Sequence, residues 1–182
     1  LVRFDASRLY EAASYNNAGY GYARGMELFW RDQKTIKYLD YWLSYSWMQS
    51  QRAYRDFPMS AKPTFAPEHT VTAVGKYWVN KINTQFGMTF IWSSGRAYDD
   101  PTTYSFNDKT APSYLDISVN ASYLFPLWGK TSVLYASVSN LTGKSNIYSY
   151  RYYNNESGQL LRDPVVPEAK RFIFIGFFLN FN

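Results

Sequence analysis

Two acidic residues stand within segments whose side chains alternate between apolar and polar, and they are the first candidates for chemistry. Glu27 and Asp116 both fall on the polar side of their segments. Two carboxyl groups that face one another can divide acid and base roles in a reaction. In a hollow β-barrel, carboxylates on the inner face more often bind water or a neighbouring domain than catalyse a reaction, and we expect that role here.

The rest of the sequence offers few groups for catalysis. It contains no Cys and one histidine, His69, which excludes a thiol site and any multi-histidine metal cluster. No glycine-rich phosphate loop, nucleophile motif or metal-ligand spacing occurs. We therefore expect neither an enzyme nor a bound cofactor.

Binding groups are better represented than catalytic ones. Arg96 follows Ser94-Gly95 at the end of an alternating segment, where it either contacts a ligand or pairs with a carboxylate. Tyrosines lead into a long polar segment, residues 154–170, and aromatic rings bind ligands at little cost in entropy. The alternative is an aromatic belt at a membrane surface. The candidates for a ligand rim are Arg96, Tyr150, Tyr152 and Tyr153.

Period-2 alternation predicts strands along almost the whole length. Aromatic residues make up 20% of the chain, and tyrosine, phenylalanine and tryptophan favour strands. A strand interrupted near residues 141–145 is expected within 130–153. The predicted strands cover residues 1–10 (the poorest), 22–31, 39–52, 69–79, 84–98, 113–124, 130–153 and 171–182.

The predicted connections alternate in length. Long ones cover residues 11–21, 53–68, 99–112 and 154–170, and short ones cover 32–38, 80–83 and 125–129. Membrane barrels have short periplasmic turns and longer extracellular loops. We therefore predict an all-β, antiparallel up-and-down transmembrane β-barrel, with residue 182 on the periplasmic side.

Charge and hydropathy are consistent with this fold. The net charge of +5 comes from scattered residues, which indicates solvated loops and no nucleic-acid surface. No apolar run approaches the ~20 residues of a membrane helix. The sequence starts without a signal peptide, so we expect a mature form or part of a longer chain.

Four motifs resemble those of one family. They are Gly21-Tyr22-Ala23-Arg24-Gly25-Met26-Glu27-Leu28, Ser94-Gly95-Arg96-Ala97-Tyr98, Val138-Ser139-Asn140-Leu141 and the final strand, residues 171–181. In this order they resemble the C-terminal β-barrel of a TonB-dependent outer-membrane receptor, in the style of the Bacteroidetes. Ala97 stands where the family usually has proline. Asn182 follows the aromatic residue on which members of the family usually end.

The resemblance implies a function in nutrient transport across the bacterial outer membrane. Such receptors resemble 22-stranded barrels with an internal plug domain, and residues 1–182 would supply about eight C-terminal wall strands and no plug. The implied partners are outer-membrane lipid, the rest of the barrel and its plug, TonB through an N-terminal part, and a surface lipoprotein.

The strand alternation supplies candidates to face the lumen or plug of such a barrel. They are Glu27, Asp116, Phe172 and Phe174. In the barrel-closing strand, the residues that match the family are Arg171, Gly176 and Phe181.

Two alternatives remain open at this level. The first is a complete eight-stranded outer-membrane barrel with a structural, adhesion or accessory-subunit role. The second is a soluble β-sandwich binding module or hydrolase, against which the loop order and the apolar final strand argue.

Overall fold

The computed structural model describes residues 1–8, 10–11 and 14–180, and it is an all-β antiparallel structure. Its main sheet has seven strands in the order β1-β2-β3-β4-β7-β8-β11. These strands are β1 (Tyr20–Asp32), β2 (Leu39–Ala53), β3 (His69–Val79), β4 (Thr84–Ser93), β7 (Tyr114–Leu127), β8 (Lys130–Ser139) and β11 (Phe172–Leu179).

Two small ladders lie outside the main sheet. β5 (Ala97–Tyr98) pairs with β6 (Lys109–Thr110). β9 (Ser149–Asn154) pairs with β10 (Leu160–Val165) as a hairpin. The alternation predicted β5 as part of a longer strand, and β6 and β10 as parts of loops. It also predicted the interruption after β8 correctly, but β9 pairs with β10 and does not continue the main sheet.

The connections follow the predicted alternation. Short turns join β1 to β2, β3 to β4 and β7 to β8, and we call this side of the sheet the turn end. The long connections 54–68, 94–113 and 140–171 lie at the opposite side, the loop end. The β7–β8 turn is tight because Trp128 and Gly129 adopt φ of 50° and 74°, which suits a two-residue hairpin.

The prediction of a strand at residues 1–10 is wrong. Ala6–Arg8 form a 3-10 turn, and Arg3 makes only isolated bridges to Asn16 and Arg55. Asp5 favours this turn because its carboxylate accepts hydrogen bonds from the backbone N–H and the hydroxyl of Ser7. The described residues therefore form seven strands in the main sheet, and none of the described residues before β1 adds an eighth.

The two edge strands of the sheet run in the same direction. β1 and β11 both start at the loop end and finish at the turn end, because five antiparallel strands lie between them. Direct pairing of β1 with β11 would be parallel, and the described residues contain no such ladder. These seven strands cannot close into an all-antiparallel barrel by themselves.

Alternation separates the main sheet into two different faces. The apolar face carries, among others, Met26, Leu28, Trp30, Leu43, Ala73, Met88, Val119, Ala136, Val138, Ile173 and Ile175, which the strand registers align across the sheet. The polar face carries Glu27, Arg31, Asp40, Lys76 and Asp116 with many Ser and Thr side chains.

The buried apolar residues lie at the loop end and not in the middle of the sheet. They are Ala53, Phe57, Ala61, Ala97, Tyr98 and Ala111 among the described residues. Phe57 contacts Phe106 with ring centroids 4.7 Å apart, which joins two of the long connections. The fold thus has a small core under its loops and a seven-stranded sheet with broad exposed apolar surface.

Candidate functional site at the loop end of the sheet

The backbone of Arg96 is held between two long connections. The Ser94 hydroxyl accepts hydrogen bonds from the backbone N–H groups of Glu68 and His69, at 2.9 and 3.0 Å. The Arg96 carbonyl accepts one from Ala111 at 2.9 Å. A Cβ at Gly95 would overlap the Ala111 carbonyl oxygen, so only glycine permits this close approach.

The Arg96 side chain lies against tyrosines. Its guanidinium carbon is 5.6 Å from the centroid of the Tyr148 ring, and that ring stacks on Tyr114 at 6.0 Å and 19°. No carboxylate forms an ion pair with Arg96 among the described residues. The geometry therefore shows a cation–π contact where the sequence left open either a ligand or a carboxylate partner.

Only two of the three predicted rim tyrosines join this cluster. Tyr150 lies 4.9 Å from the Tyr98 ring and 4.5 Å from the Arg162 guanidinium carbon. Tyr152 shares a face of β9 with Tyr150, whereas Tyr153 lies on the other face and is 42% exposed. The structure thus brings Arg96, Tyr150 and Tyr152 to one surface and separates Tyr153 from them.

The Tyr152 hydroxyl is shielded from solvent and has no hydrogen-bond partner in the described structure. This burial raises the pKa of Tyr152, and the nearby Asp100 carboxylate raises it further. Arg162 also lies near this hydroxyl, but neither group has hydrogen-bond geometry to it. A neutral phenol is therefore the favoured form of Tyr152 over the physiological pH range.

Three members of the cluster were missed as site residues by the sequence analysis. Tyr98 is 7% exposed and packs under the β9–β10 hairpin, while Tyr114 and Arg162 come from β7 and β10. Their contacts depend on how the long connections fold over one another. The one signal in the sequence was the high local density of tyrosines around residue 150.

The two acidic candidates lie far apart on the polar face. Glu27 is on β1 and Asp116 on β7, four strand spacings away, which is roughly 19 Å along the sheet. The Asp116 carboxylate accepts a 2.5 Å hydrogen bond from Ser118, and Glu27 is exposed. The structure does not bring these carboxylates together as an acid–base pair.

The final strand is apolar on both faces. Phe172 and Phe174 lie on the polar face, as the alternation predicted, and are 63% and 41% exposed. Gly176 pairs with Tyr135 and lies between the rings of Phe174 and Phe178. Arg171 precedes the strand and packs against Gly143. Phe181, the third candidate of this strand, lies outside the described residues.

The apolar face of the main sheet is a broad exposed apolar surface. Leu28, Trp30, Ile173 and Ile175 on its two edge strands are 56%, 63%, 67% and 71% exposed. Exposed apolar patches on monomeric soluble proteins rarely exceed a few hundred Å². Charged residues of the strands occur on this face only near the strand ends, at Arg24, Asp32 and Lys130.

A broad groove of about 910 Å³ opens on the apolar face. The small residues Ala73, Gly75, Ala121 and Ala136 lie there among larger ones such as Trp30 and Ile175. The side chains that this face contributes to the groove are mostly apolar, and their polar groups are the Tyr41 and Tyr77 hydroxyls and the Trp30 indole N–H. Such a groove suits hydrocarbon better than a polar nutrient.

Neither a metal site nor a membrane helix is found in the described part of the chain. Among residues 1–8, 10–11 and 14–180, no group of three or more His, Asp or Glu side chains is placed to hold a metal ion. No helix within those ranges has the length and apolar character needed to span a membrane.

Comparison with known proteins gives no match. No family model matches the chain, and neither the curated proteins nor the solved structures contain a significant match.

Proposed function

We propose that this sheet is part of the wall of an outer-membrane β-barrel that takes up a scarce nutrient, in the manner of a TonB-dependent receptor. The observation that carries the proposal is the apolar face, which spans all seven strands and has charged residues only near strand ends. Transmembrane strands show this pattern, with an apolar band towards lipid and a polar lumen.

The strand lengths support the same proposal. β1, β2, β3 and β7 have 13, 15, 11 and 14 residues. A tilted strand needs about 9–11 residues to cross the hydrocarbon of a bilayer. Strands in globular proteins usually have about 5–6.

The direction of the edge strands favours a larger barrel over a complete small one. An antiparallel partner for β1 must run from the turn end to the loop end, and the described residues before β1 form no such strand. An antiparallel barrel therefore needs an odd number of further strands between β11 and β1. We infer that other segments of the same barrel supply them, since an unpaired edge is not tolerated in lipid.

The transport role itself rests on the resemblance of the four motifs. In the proposed receptor the polar face lines the lumen, and a plug domain contacts Phe172 and Phe174. TonB acts through an N-terminal part, a surface lipoprotein is a further partner, and the loop-end cluster around Arg96 faces the outside. The described strands contribute the wall and not the energy coupling.

A second candidate is a small outer-membrane barrel with a structural or adhesion role. The exposed apolar face fits it equally well. The described residues provide no second antiparallel partner for β1 beside β2, which argues against it. A soluble β-sandwich is disfavoured because no second sheet covers the apolar face among the described residues.

One experiment separates these candidates. Antibodies raised against the 182-residue chain would be used on fractionated envelopes of the source organism. The receptor proposal predicts a single outer-membrane polypeptide several hundred residues longer than this chain, with heat-modifiable mobility. An outer-membrane band near 21.2 kDa supports the small barrel, and a band in the soluble fraction contradicts both barrels.

A further inference from the structure

The segment after β8 continues along β7 without forming a strand. The β7–β8 register ends at the pair Val119 and Val138, so the β7 backbone before Val119 lacks a partner from β8. The backbone N–H of Leu141 donates to the Ile117 carbonyl at 2.6 Å, and that of Asn140 donates to the Ser118 hydroxyl at 3.3 Å. Residues 140–141, which are not in a strand, thus continue the hydrogen bonding along β7 beyond the end of β8.

Asn146 then takes the place of a strand residue. Its Oδ1 accepts a hydrogen bond from the Leu115 N–H at 2.9 Å, and its Nδ2 donates to the Leu115 carbonyl at 2.8 Å. A side-chain amide has one acceptor and one donor group in the spacing of a backbone peptide, so it can pair both groups of one residue. Asn146 is 4% exposed, so both of its bonds are shielded from water.

Asn140 joins the two ends of the same long connection. Its Nδ2 donates to the carbonyls of Lys144 and Lys170, at 2.8 and 2.6 Å, and its Oδ1 accepts from the Thr142 hydroxyl at 3.1 Å. Lys170 lies two residues before β11. One side chain thus closes a connection of about 30 residues at its base.

The turn at residues 140–143 contains two residues with a left-handed backbone conformation. Asn140 adopts φ of 46° and Gly143 adopts φ of 66°, a region that asparagine and glycine enter at lower cost than other residues. The Arg171 guanidinium packs where a side chain at Gly143 would lie. Lys144 adds a 2.6 Å hydrogen bond from its Nζ to the Ser113 carbonyl.

We propose that Asn140 and Asn146 act as a buckle that fixes the base of connection 140–171, so that the β9–β10 hairpin is a fixed wall of the loop end and not a hinged lid. The chain enters the hairpin directly after Asn146, where the Tyr148 N–H donates to the Val165 carbonyl. The buckle therefore sets the position of Tyr148 under Arg96. This inference holds whatever ligand the protein takes.

The test is hydrogen exchange of backbone amides in the complete, detergent-solubilised protein that contains this chain. Asn146→Ala removes both bonds to Leu115, and we expect amides of residues 141–153 to exchange about 10-fold faster, since two shielded hydrogen bonds are lost. Asn140→Gly, which removes the side chain and accommodates the φ of 46°, should have the same effect on both ends of the connection. Thr142→Val, which removes one donor to Asn140, is a milder variant that should act in the same direction.

Asn155→Ala is the matched control. The Asn155 side-chain Oδ1 accepts hydrogen bonds within the hairpin tip, from the backbone N–H groups of Ser157 and Gln159. Its effect should stay within residues 155–159, while amides of β2 to β4 stay protected in every variant and report that the sheet is folded. Unchanged exchange at 141–153 in Asn146→Ala with the sheet protected, or an equal increase there in Asn155→Ala, would overturn the buckle.

Discussion

Arg96 lies over Tyr148, with its guanidinium carbon 5.6 Å from the ring centroid, although the two residues belong to different long connections. Tyr148 in turn stacks on Tyr114 at the start of β7. The guanidinium group of Arg96 and the ring of Tyr148 thus join connection 94–113 to connection 140–171. It makes the loop end a continuous surface.

Arg96→Gln should weaken that junction. The cation–π attraction is lost while a polar side chain of similar reach remains, and exposed contacts of this kind contribute about 0.5–1 kcal/mol. The free energy of unfolding in detergent should fall by about this amount. Tyr148→Phe keeps the aromatic ring and should have little effect on the free energy of unfolding. An equal loss in both variants would show that the contact depends on the Tyr148 hydroxyl and not on its ring face.

Gly95→Ala should be more damaging than Arg96→Gln. The added Cβ overlaps the Ala111 carbonyl oxygen, so the chain must move away from residues 109–111 and the β5–β6 ladder must open. A change in near-ultraviolet circular dichroism and faster proteolysis of connection 94–113 are expected. Gly75→Ala is the control for space, because the nearest atom to a Cβ there is the Tyr41 Cβ at 4.0 Å. Equal proteolysis of the two variants would contradict the close approach at Gly95.

Connection 94–113 should loosen in acid. The hydroxyl and backbone N–H of Thr102 donate to the Asp100 carboxylate at 2.7 and 3.0 Å, and these bonds hold the pKa of Asp100 below its usual value. A carboxyl whose pKa is lowered by folding stabilises the fold above its unfolded pKa, and this stabilisation is lost as pH falls through the folded pKa.

The measurement is exchange of the Thr102 amide as the pH is lowered below about 4, near the unfolded pKa of Asp. Protection is expressed as the ratio of the intrinsic exchange rate at each pH to the measured exchange rate. Protection should fall in the native chain, whereas Asp100→Asn should show lower protection at neutral pH and little further change. A native chain whose protection stays constant through this range would show that the Asp100 turn does not depend on charge.

A charge on the apolar face should be costly, and the same charge one residue away should not. Met88 lies on the apolar face and is 50% exposed, whereas Thr89 lies on the polar face. In a bilayer Met88→Lys should destabilise the sheet by about 2–4 kcal/mol, as lysine does at the lipid-facing midplane of barrels. Thr89→Lys is the matched control. Equal effects of the two substitutions in lipid vesicles would show that the apolar face is not in hydrocarbon.

Much of the main sheet was predictable because alternation is a local property of the sequence. β3 was predicted as residues 69–79 and observed as His69–Val79, and from β1 onward the predicted order of short and long connections is also observed. The failure at residues 1–10 has a local cause, since the carboxylate of Asp5 favours a turn over a strand.

The loop-end cluster was only partly predictable. Tyr150 and Tyr152 could be selected as members of a dense run of tyrosines, but Tyr98, Tyr114 and Arg162 come from three other segments. Their contacts follow from the fold of the long connections, which is fixed by side chains such as Asn140 and Asn146. Alternation carries no information about such contacts, because they join separate segments of the chain, as Tyr98 with Tyr150 and Tyr114 with Tyr148.

The central claim is that the apolar face contacts lipid hydrocarbon and the polar face does not. Trp30 and Trp42 test it closely, because they lie on opposite faces of neighbouring strands, Trp30 paired with Leu43 and Trp42 with Arg31. Single-tryptophan variants would be reconstituted, within the complete barrel, into vesicles of lipids brominated on their acyl chains. The account predicts strong quenching of Trp30 fluorescence by the brominated chains and weak quenching of Trp42. Equal quenching of both, or stronger quenching of Trp42, would contradict it.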